Sequence, residues 1–174
     1  MKIIAFAASS SRKSINKMLV TYAVGLIEQA DVEVLDLNDY ELPLFSEDTE
    51  QALGRPALAA AFLAKIASAD ALLISFAEHN GTYSAAYKNL FDWCSRIQKV
   101  FQGKPMVLLS TSPGARGGAS VLDQAVKSAP YFEGEVKASF TLPSFYEHFD
   151  VEQQQLTDDA LKAELLRALN KLTQ

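Results

Sequence analysis

A doubly wound α/β fold, built on one parallel sheet of five strands, is predicted by two features of the sequence. Strand-like and helix-like patterns alternate strictly along the chain, five times over. The strand-like segments are also of two kinds: three are continuous apolar runs and two alternate apolar with polar residues. A continuous run suits a strand covered on both faces, and an alternating run suits a half-covered edge. Three central strands and two edge strands follow.

The first strand is KIIAFAA, Lys2–Ala8, a continuous run. Ile15, Met18, Leu19, Tyr22, Leu26 and Ile27 then recur at helical spacing. VEVLDL, Val32–Leu37, is partly alternating and reads as an edge strand. Asn38 to Arg55 reads as a long polar connection, followed by a helix whose apolar face is Leu58, Phe62, Leu63 and Ile66. ALLISFA, Ala71–Ala77, is the second continuous run, and Tyr83, Ala86, Tyr87, Leu90 and Cys94 follow it on one helical face. MVLLST, Met106–Thr111, is the third, with Val121, Leu122, Ala125 and Val126 in the helix after it. VKASFTL alternates clearly through Val136, Ala138, Phe140 and Leu142, the mark of the second edge strand. Ser144 to Thr157 is another long connection. The last helix is expected from about Asp158, with Thr157 as N-cap, Asp158 and Asp159 in the first turn, and Arg167 and Lys171 late. With the second and fifth strands outside, the simplest strand order is 2-1-3-4-5, helices on both faces, which is the flavodoxin-like arrangement. Residues 1–174 are read as a single domain.

Composition narrows the function. The chain is 49% hydrophobic, yet no run approaches the ~18 residues of a membrane span. The apolar run Ile3–Ala8 is shorter than the roughly 7–15 residues of a signal-peptide core. A single Cys excludes an internal disulfide, and a cytoplasmic protein without membrane association is expected. A net charge of −5 argues against nucleic acid as a partner. Charge is unevenly spread, however. Before Thr21 the charged residues are Lys2, Arg12, Lys13 and Lys17, whereas Glu28 to Glu50 holds nine carboxylates and no Lys or Arg. The opening loop is therefore either ordinary surface or a positive spot suited to a small anion.

In an open α/β sheet the ligand crevice lies beyond the carboxyl ends of the strands, near the switch between strands one and three. Three unusual loops fall there. In SSSRKSIN, Ser9, Ser11 and Ser14 can converge on a phosphate at a helix N-terminus, with Asn16 bracing the loop; otherwise they cap the helix. It is neither a Walker loop nor a GxGxxG fingerprint. In AEHNGTY, Glu78, His79, Asn80 and Gly81 form a turn, and His79 either stacks on a planar ligand or is a solvated turn residue. In STSPGARGGAS, Gly114, Gly117 and Gly118 permit close backbone approach, and Gly117 and Gly118 open the next helix. His79, His148 and Cys94 show no metal-ligand spacing, and no G-x-S-x-G elbow is present. Cys94 falls on the apolar side of its helix and reads as a core thiol. Tyr83, Tyr87 and Trp93 read as core or subunit contacts.

On these loops the sequence resembles the NADPH-dependent FMN reductases, a family that includes related quinone, azo-dye and chromate reductases. Their first loop is G-S-x-R-x-x-S-x-N; here Ala8 to Asn16 keeps Ser9, Ser14 and Asn16, with Ala8 for Gly and Ser11 for Arg. Their second, P-E-Y-N-G-S-Y followed by L-K-N-x-x-D-W, corresponds to Ala77–Tyr83 and Tyr87–Trp93, with Ala77 for Pro and His79 for Tyr. Their third, S-x-G-x-x-G-G, is matched by Ser112 to Gly118.

The resemblance implies that Ser9, Ser11, Ser14, Ile15 and Asn16 hold the FMN phosphate, with a charge-assisted contact if Arg12 or Lys13 turns inward. It implies that Ala77, Glu78, His79, Asn80 and Gly81, with Ser112, Gly114, Ala115, Arg116, Gly117 and Gly118, hold the isoalloxazine ring. FMN would be the cofactor, NADPH or NADH the co-substrate, and a flavin, quinone or similar small molecule the acceptor, served in turn at one shared site. No side chain is expected to be essential as a nucleophile, acid or base. The resemblance also implies a homodimer or homotetramer, with the helix of Tyr87 and Trp93 near the interface. The alternatives are an FMN-binding electron carrier inert to NAD(P)H, and a relative that has lost its flavin.

Overall fold

The structure is a computed structural model and describes residues 1–173. The long strands are β1 (Lys2–Ala8), β2 (Asp31–Leu35), β3 (Ala71–Phe76), β6 (Lys104–Thr111) and β7 (Gly134–Leu142). They form one parallel sheet in the order β2-β1-β3-β6-β7, so the two alternating segments are the edges, as their patterns predict. Two short antiparallel pairs complete the strands: β4 (Glu78–His79) with β5 (Thr82–Tyr83), and β8 (Phe149–Asp150) with β9 (Gln155–Leu156).

The continuous runs are continuous because both faces of the sheet are covered. On one face Ile4, Phe6, Leu72, Ile74, Met106 and Leu108 pack under α3 (Ala57–Ala67), α4 (Ala85–Ser95) and α5 (Ala119–Ser128). On the other, Ile3, Ala5, Leu73, Val107 and Leu109 pack under α1 (Ile15–Gly25) and α7 (Asp159–Leu169). Each fully buried Leu or Ile contributes roughly 1.5–3 kcal/mol, so a central strand is held from two sides. Cys94 is buried in the first layer, its Sγ 3.7 Å from the Ala59 carbonyl, and burial pushes its thiol up to about 12. It is the core thiol its position implies.

Four boundaries differ from the sequence reading. Tyr83 belongs to β5, and α4 starts two residues later behind the cap Ser84. The cap of α7 is Asp158, whose Oδ1 accepts from Leu161 N–H at 2.9 Å, and Thr157 lies outside the helix. The connection after β2 contains a turn of 3-10 helix, Leu37–Tyr40, and the short helix α2 (Glu47–Leu53). The connection after β7 contains α6 (Phe145–His148) and the β8–β9 pair. Leu58, assigned to the apolar face of α3, is exposed in its first turn.

Candidate active site

The loops leaving the carboxyl ends of β1, β3 and β6 enclose an open cavity of about 260 Å³. The first loop contributes Ser9, Ser11, Lys13, Ser14, Ile15 and Asn16; the second Ala77, Glu78 and His79; the third Thr111, Ser112 and Pro113. A larger cleft of about 320 Å³ lies between Leu26–Gln29 and the end of α7, remote from all three loops.

The first loop is arranged to present donors. Ser14 caps α1, its Oγ accepting from Lys17 N–H at 3.2 Å. Ser9 Oγ likewise accepts from Ser11 N–H at 3.2 Å. Both serines are buried, and among the described residues neither hydroxyl donates, so both hydrogens are free for a ligand. The N–H groups of Ile15 and Asn16, in the first turn of α1, have no carbonyl within the helix to reach, and the helix dipole adds positive potential there.

The cations of this segment divide. Lys17 Nζ binds Asp36 Oδ2 at 2.5 Å, and this hydrogen bond holds the Asp36 carboxyl down at about 2, so Lys17 is already paired. Lys13 lines the cavity, whereas Arg12 is exposed and stands outside its wall. Of the two candidate cations, the structure brings Lys13 to the site.

Asn16 is a brace between loops. Its Nδ2 donates to the Thr111 carbonyl at 3.1 Å, and its Oδ1 accepts from Thr111 N–H at 3.0 Å and Ser75 Oγ at 2.8 Å. One side chain thus locks the start of α1 to the ends of β3 and β6. Ser84 does similar work, donating from Oγ to the Ala8 carbonyl at 2.8 Å while capping α4.

The second loop is a tight hairpin. Asn80 and Gly81 both have positive φ, 51° and 80°, as a two-residue type I′ turn requires. They form the exposed tip of β4–β5 and do not line the cavity. Glu78 turns its carboxylate to α5, where Oε2 accepts from Val121 N–H at 2.8 Å. With Thr82 Oγ1 donating to Gln124 Oε1 at 2.8 Å, this pins the hairpin to that helix. The part of the loop facing the cavity is therefore Ala77 to His79.

The third loop divides likewise. Ser112 lines the cavity, whereas Gly114, Ala115, Arg116, Gly117 and Gly118 stand back from it. Gly117 (φ 58°) packs against β7: a Cβ there would lie 2.6 Å from the Leu142 carbonyl oxygen. Arg116 Nη2 donates to Ser120 Oγ at 2.8 Å on the surface. At Gly117 the close backbone approach is to the protein's own β7.

Sequence reasoning missed Tyr146, which lines the cavity from α6. Topology carried the signal, since the connection after the fifth strand leaves from the same sheet edge as the other three loops.

A doubly wound sheet with hydroxyl, N–H and ammonium donors at the mouth of β1 and a polar cleft toward β3 and β6 defines a flavodoxin-like protein whose cleft offers the donors an anionic ligand needs. Residues 1–146 match the NADPH-dependent FMN reductase family. The chain belongs to that family. An NADPH:quinone oxidoreductase of Arabidopsis thaliana is 31% identical over 181 residues, covering 99% of this chain and 90% of the plant protein. A 2-hydroxy-1,4-benzoquinone reductase of a Burkholderia species is 37% identical over 121 residues, 68% of this chain and 64% of that protein. In fold, the flavoenzyme NAD(P)H:(acceptor) oxidoreductase FerB of Paracoccus denitrificans superposes with a TM-score of 0.78 at 22% identity, over 98% of this chain and 94% of FerB.

The residues present fit FMN. Its phosphate needs several donors and a cation, and the free hydroxyls of Ser9 and Ser14, the first-turn N–H groups of α1 and Lys13 supply them.

Proposed function

We propose that the protein is an FMN-dependent NAD(P)H oxidoreductase that reduces flavins, quinones or similar small acceptors. The observation that carries this reading is the pair of buried serine hydroxyls, each accepting from a backbone N–H and each left with a free hydrogen beside an unpaired helix turn. Ser9, Ser11, Ser14, Ile15 and Lys13 would hold the phosphate, with Asn16 fixing the loop. Ala77 to His79 and Ser112 would flank the ring, with Asn80–Gly81 and Gly114–Gly118 shaping the loops behind them.

FMN, when bound, supplies the two-electron chemistry between NAD(P)H and the acceptor. The protein's part is to bind, orient and bias charge. Main-chain N–H groups of the loops at Ala77 and Ser112 would favour negative charge on a ring lying between them. Because the sequence carries no second nucleotide fingerprint, the two substrates would use one site in turn, and initial-rate plots against both would be parallel. NAD(P)H as reductant and the single buried thiol suit a cytoplasmic setting. Among the described residues no helix is long and apolar enough to cross a membrane.

Visible spectra of the purified protein test the reading. Flavin bands should survive FMN loading and desalting, then bleach with NADPH under anaerobic conditions. Retained bands that do not bleach would make the protein a carrier; no retained flavin would refute the assignment. Ser14→Ala separates site from scaffold. It should weaken FMN by about 10- to 100-fold, the scale of a hydrogen bond to a charged group. Folding should lose only about 1 kcal/mol, the value of a helix cap. Unchanged FMN affinity in this variant would remove Ser14 from the phosphate site.

The same proposal includes a homodimer or homotetramer. Its support is an aromatic cleft of about 220 Å³ between α4 and α5, lined by Phe76, Tyr83, Tyr87, Phe91 and Phe132. Tyr87 forms part of that cleft, whereas Trp93 is committed inward, donating from Nε1 to the Pro43 carbonyl at 2.8 Å. Light scattering should give at least twice the chain mass; a monomer at micromolar concentration would exclude the assembly.

A further inference from the structure

Tyr146 lies outside the three loop motifs, yet it shares the cavity wall with Lys13, Ala77, His79 and Ser112. Its side chain is 65% exposed. Of the large hydrophobic residues exposed among the described residues, it is the one in this wall. Its backbone is held firmly. Ser144, at φ 42°, donates its N–H to the Gly114 carbonyl at 2.9 Å, and Phe145 N–H donates to the Ser112 carbonyl at 3.0 Å. Phe145 is completely buried, and Glu147 N–H closes the turn on the Ser144 carbonyl at 2.8 Å. The Cα of Tyr146 is therefore fixed in the same frame as the third loop. Its ring meets one aromatic neighbour, Phe145, in a T-shaped contact at 5.3 Å. The chain thus holds an aromatic ring in water, at a fixed point beside a polar cavity, with most of its apolar area left to be covered by a ligand.

We infer that Tyr146 is a ligand-contacting wall of this site, its ring packing against the planar ring of the bound flavin. The inference rests on the FMN reading above and adds to it a residue that no loop motif contains. Tyr146 sets affinity for the ring, as the first loop does for the phosphate.

Titrations of FMN into the wild type and into Tyr146→Ala, Tyr146→Phe and Tyr146→Trp, read by both Kd and flavin emission, test it. A phenol or indole in contact with a flavin quenches its emission by electron donation, and a benzene ring does not. Tyr146→Ala should raise Kd about tenfold, the scale of a lost base–aromatic stack, and brighten the bound flavin. Tyr146→Phe should keep the affinity and brighten the emission; Tyr146→Trp should keep both affinity and quenching. Thermal unfolding of the apo variants should match the wild type, because the side chain is exposed. Wild-type Kd and emission in Tyr146→Ala would overturn the inference alone. So would equal losses of affinity in the Ala and Phe variants with emission unchanged, since that pattern belongs to a role in the loop and not to ring contact. A wild-type chain that takes up no FMN would overturn both this inference and the reading beneath it.

Discussion

Asn16→Ala should lower the stability of the apo protein by about 3–5 kcal/mol, a fifth or more of the ~5–15 kcal/mol that holds a typical domain together. The side chain is 2% exposed and makes three hydrogen bonds. Its removal orphans the Ser75 hydroxyl, which is fully buried, and both the N–H and the carbonyl of Thr111. Each buried group left without a partner costs about 1–3 kcal/mol, and a water entering the space recovers part of that. For a chain of this length the melting temperature should fall by roughly 10 °C. FMN affinity should fall too, because the same bonds set the first loop against the third. Asn16→Asp is the sharper test. Its Oδ1 can still accept from Thr111 N–H and Ser75, but the ionised second oxygen would face the Thr111 carbonyl. That raises the folded-state pKa above the unfolded value of about 3.9. The native state then holds the proton more tightly than the unfolded state does. The variant, measured against wild type at each pH, should be least impaired below about pH 3.9 and lose ground as pH rises toward the folded pKa. Urea denaturation of the apo proteins across pH checks this. An Asn16→Ala variant within about 1 kcal/mol of wild type would show that Asn16 is not the brace.

That brace illustrates what could and could not be read from the sequence. The strand order was legible because the physical cause acts locally. Ile3, Ile4, Ala5 and Phe6 must all be apolar when helices cover both faces, and Val136, Ala138 and Phe140 need alternate only at an edge. The Asn80–Gly81 turn was legible for the same reason, since two consecutive positive φ angles exclude most residues. Boundaries were less so. Thr157 and Asp158 are both good caps, and only the geometry that brings Leu161 N–H to Asp158 decides between them. Tyr83 fits the helical period of Tyr87, but the type I′ turn first commits it to a strand pair. Helix α2 has no buried residue, so no apolar period marks it, although Ser46 followed by Glu47, Asp48 and Glu50 is a readable start signal.

That the serines, Asn16 and Ala77 to His79 share one cavity was legible because each belongs to a contiguous motif. Lys13 and Arg12 are adjacent and chemically alike, and only the path of the loop selects Lys13. Tyr146 reaches the cavity through hydrogen bonds from Ser144 and Phe145 to a loop some thirty residues earlier, at Gly114 and Ser112. No local pattern encodes that. The glycines of the third loop carry a related ambiguity: a glycine needed for a ligand and one needed for a strand look identical in a sequence.

The glycine distinction carries its own expected result. Gly117→Ala should cost about 2–5 kcal/mol, and Gly114→Ala should stay within about 0.5 kcal/mol of wild type. At Gly117 φ is 58°, and a Cβ would lie 2.6 Å from both the Leu142 carbonyl oxygen and Thr141 Cγ2, and 2.8 Å from the Leu142 carbonyl carbon. Two of these atoms are backbone of β7, so the clash cannot be relieved by a side-chain rotation. A left-handed alanine adds about 1–2 kcal/mol to an overpacking cost of about 1–3 kcal/mol. Gly114 has no positive φ, and its added Cβ would meet only Ser112 Oγ at 3.9 Å. The consequence of the first change extends beyond stability. The Leu142 carbonyl accepts from Thr111 Oγ1 at 2.8 Å, and the chain just beyond it holds Ser144 and Tyr146 against the third loop. Displacing Leu142 moves two walls of the cavity at once. Gly117→Ala should therefore bind FMN more weakly even at temperatures where it is fully folded, while Gly114→Ala binds as wild type. Thermal denaturation paired with FMN titration reads both effects. A Gly114→Ala variant that loses FMN at unchanged stability would place that glycine against the ligand and return the third loop to the role its motif implies.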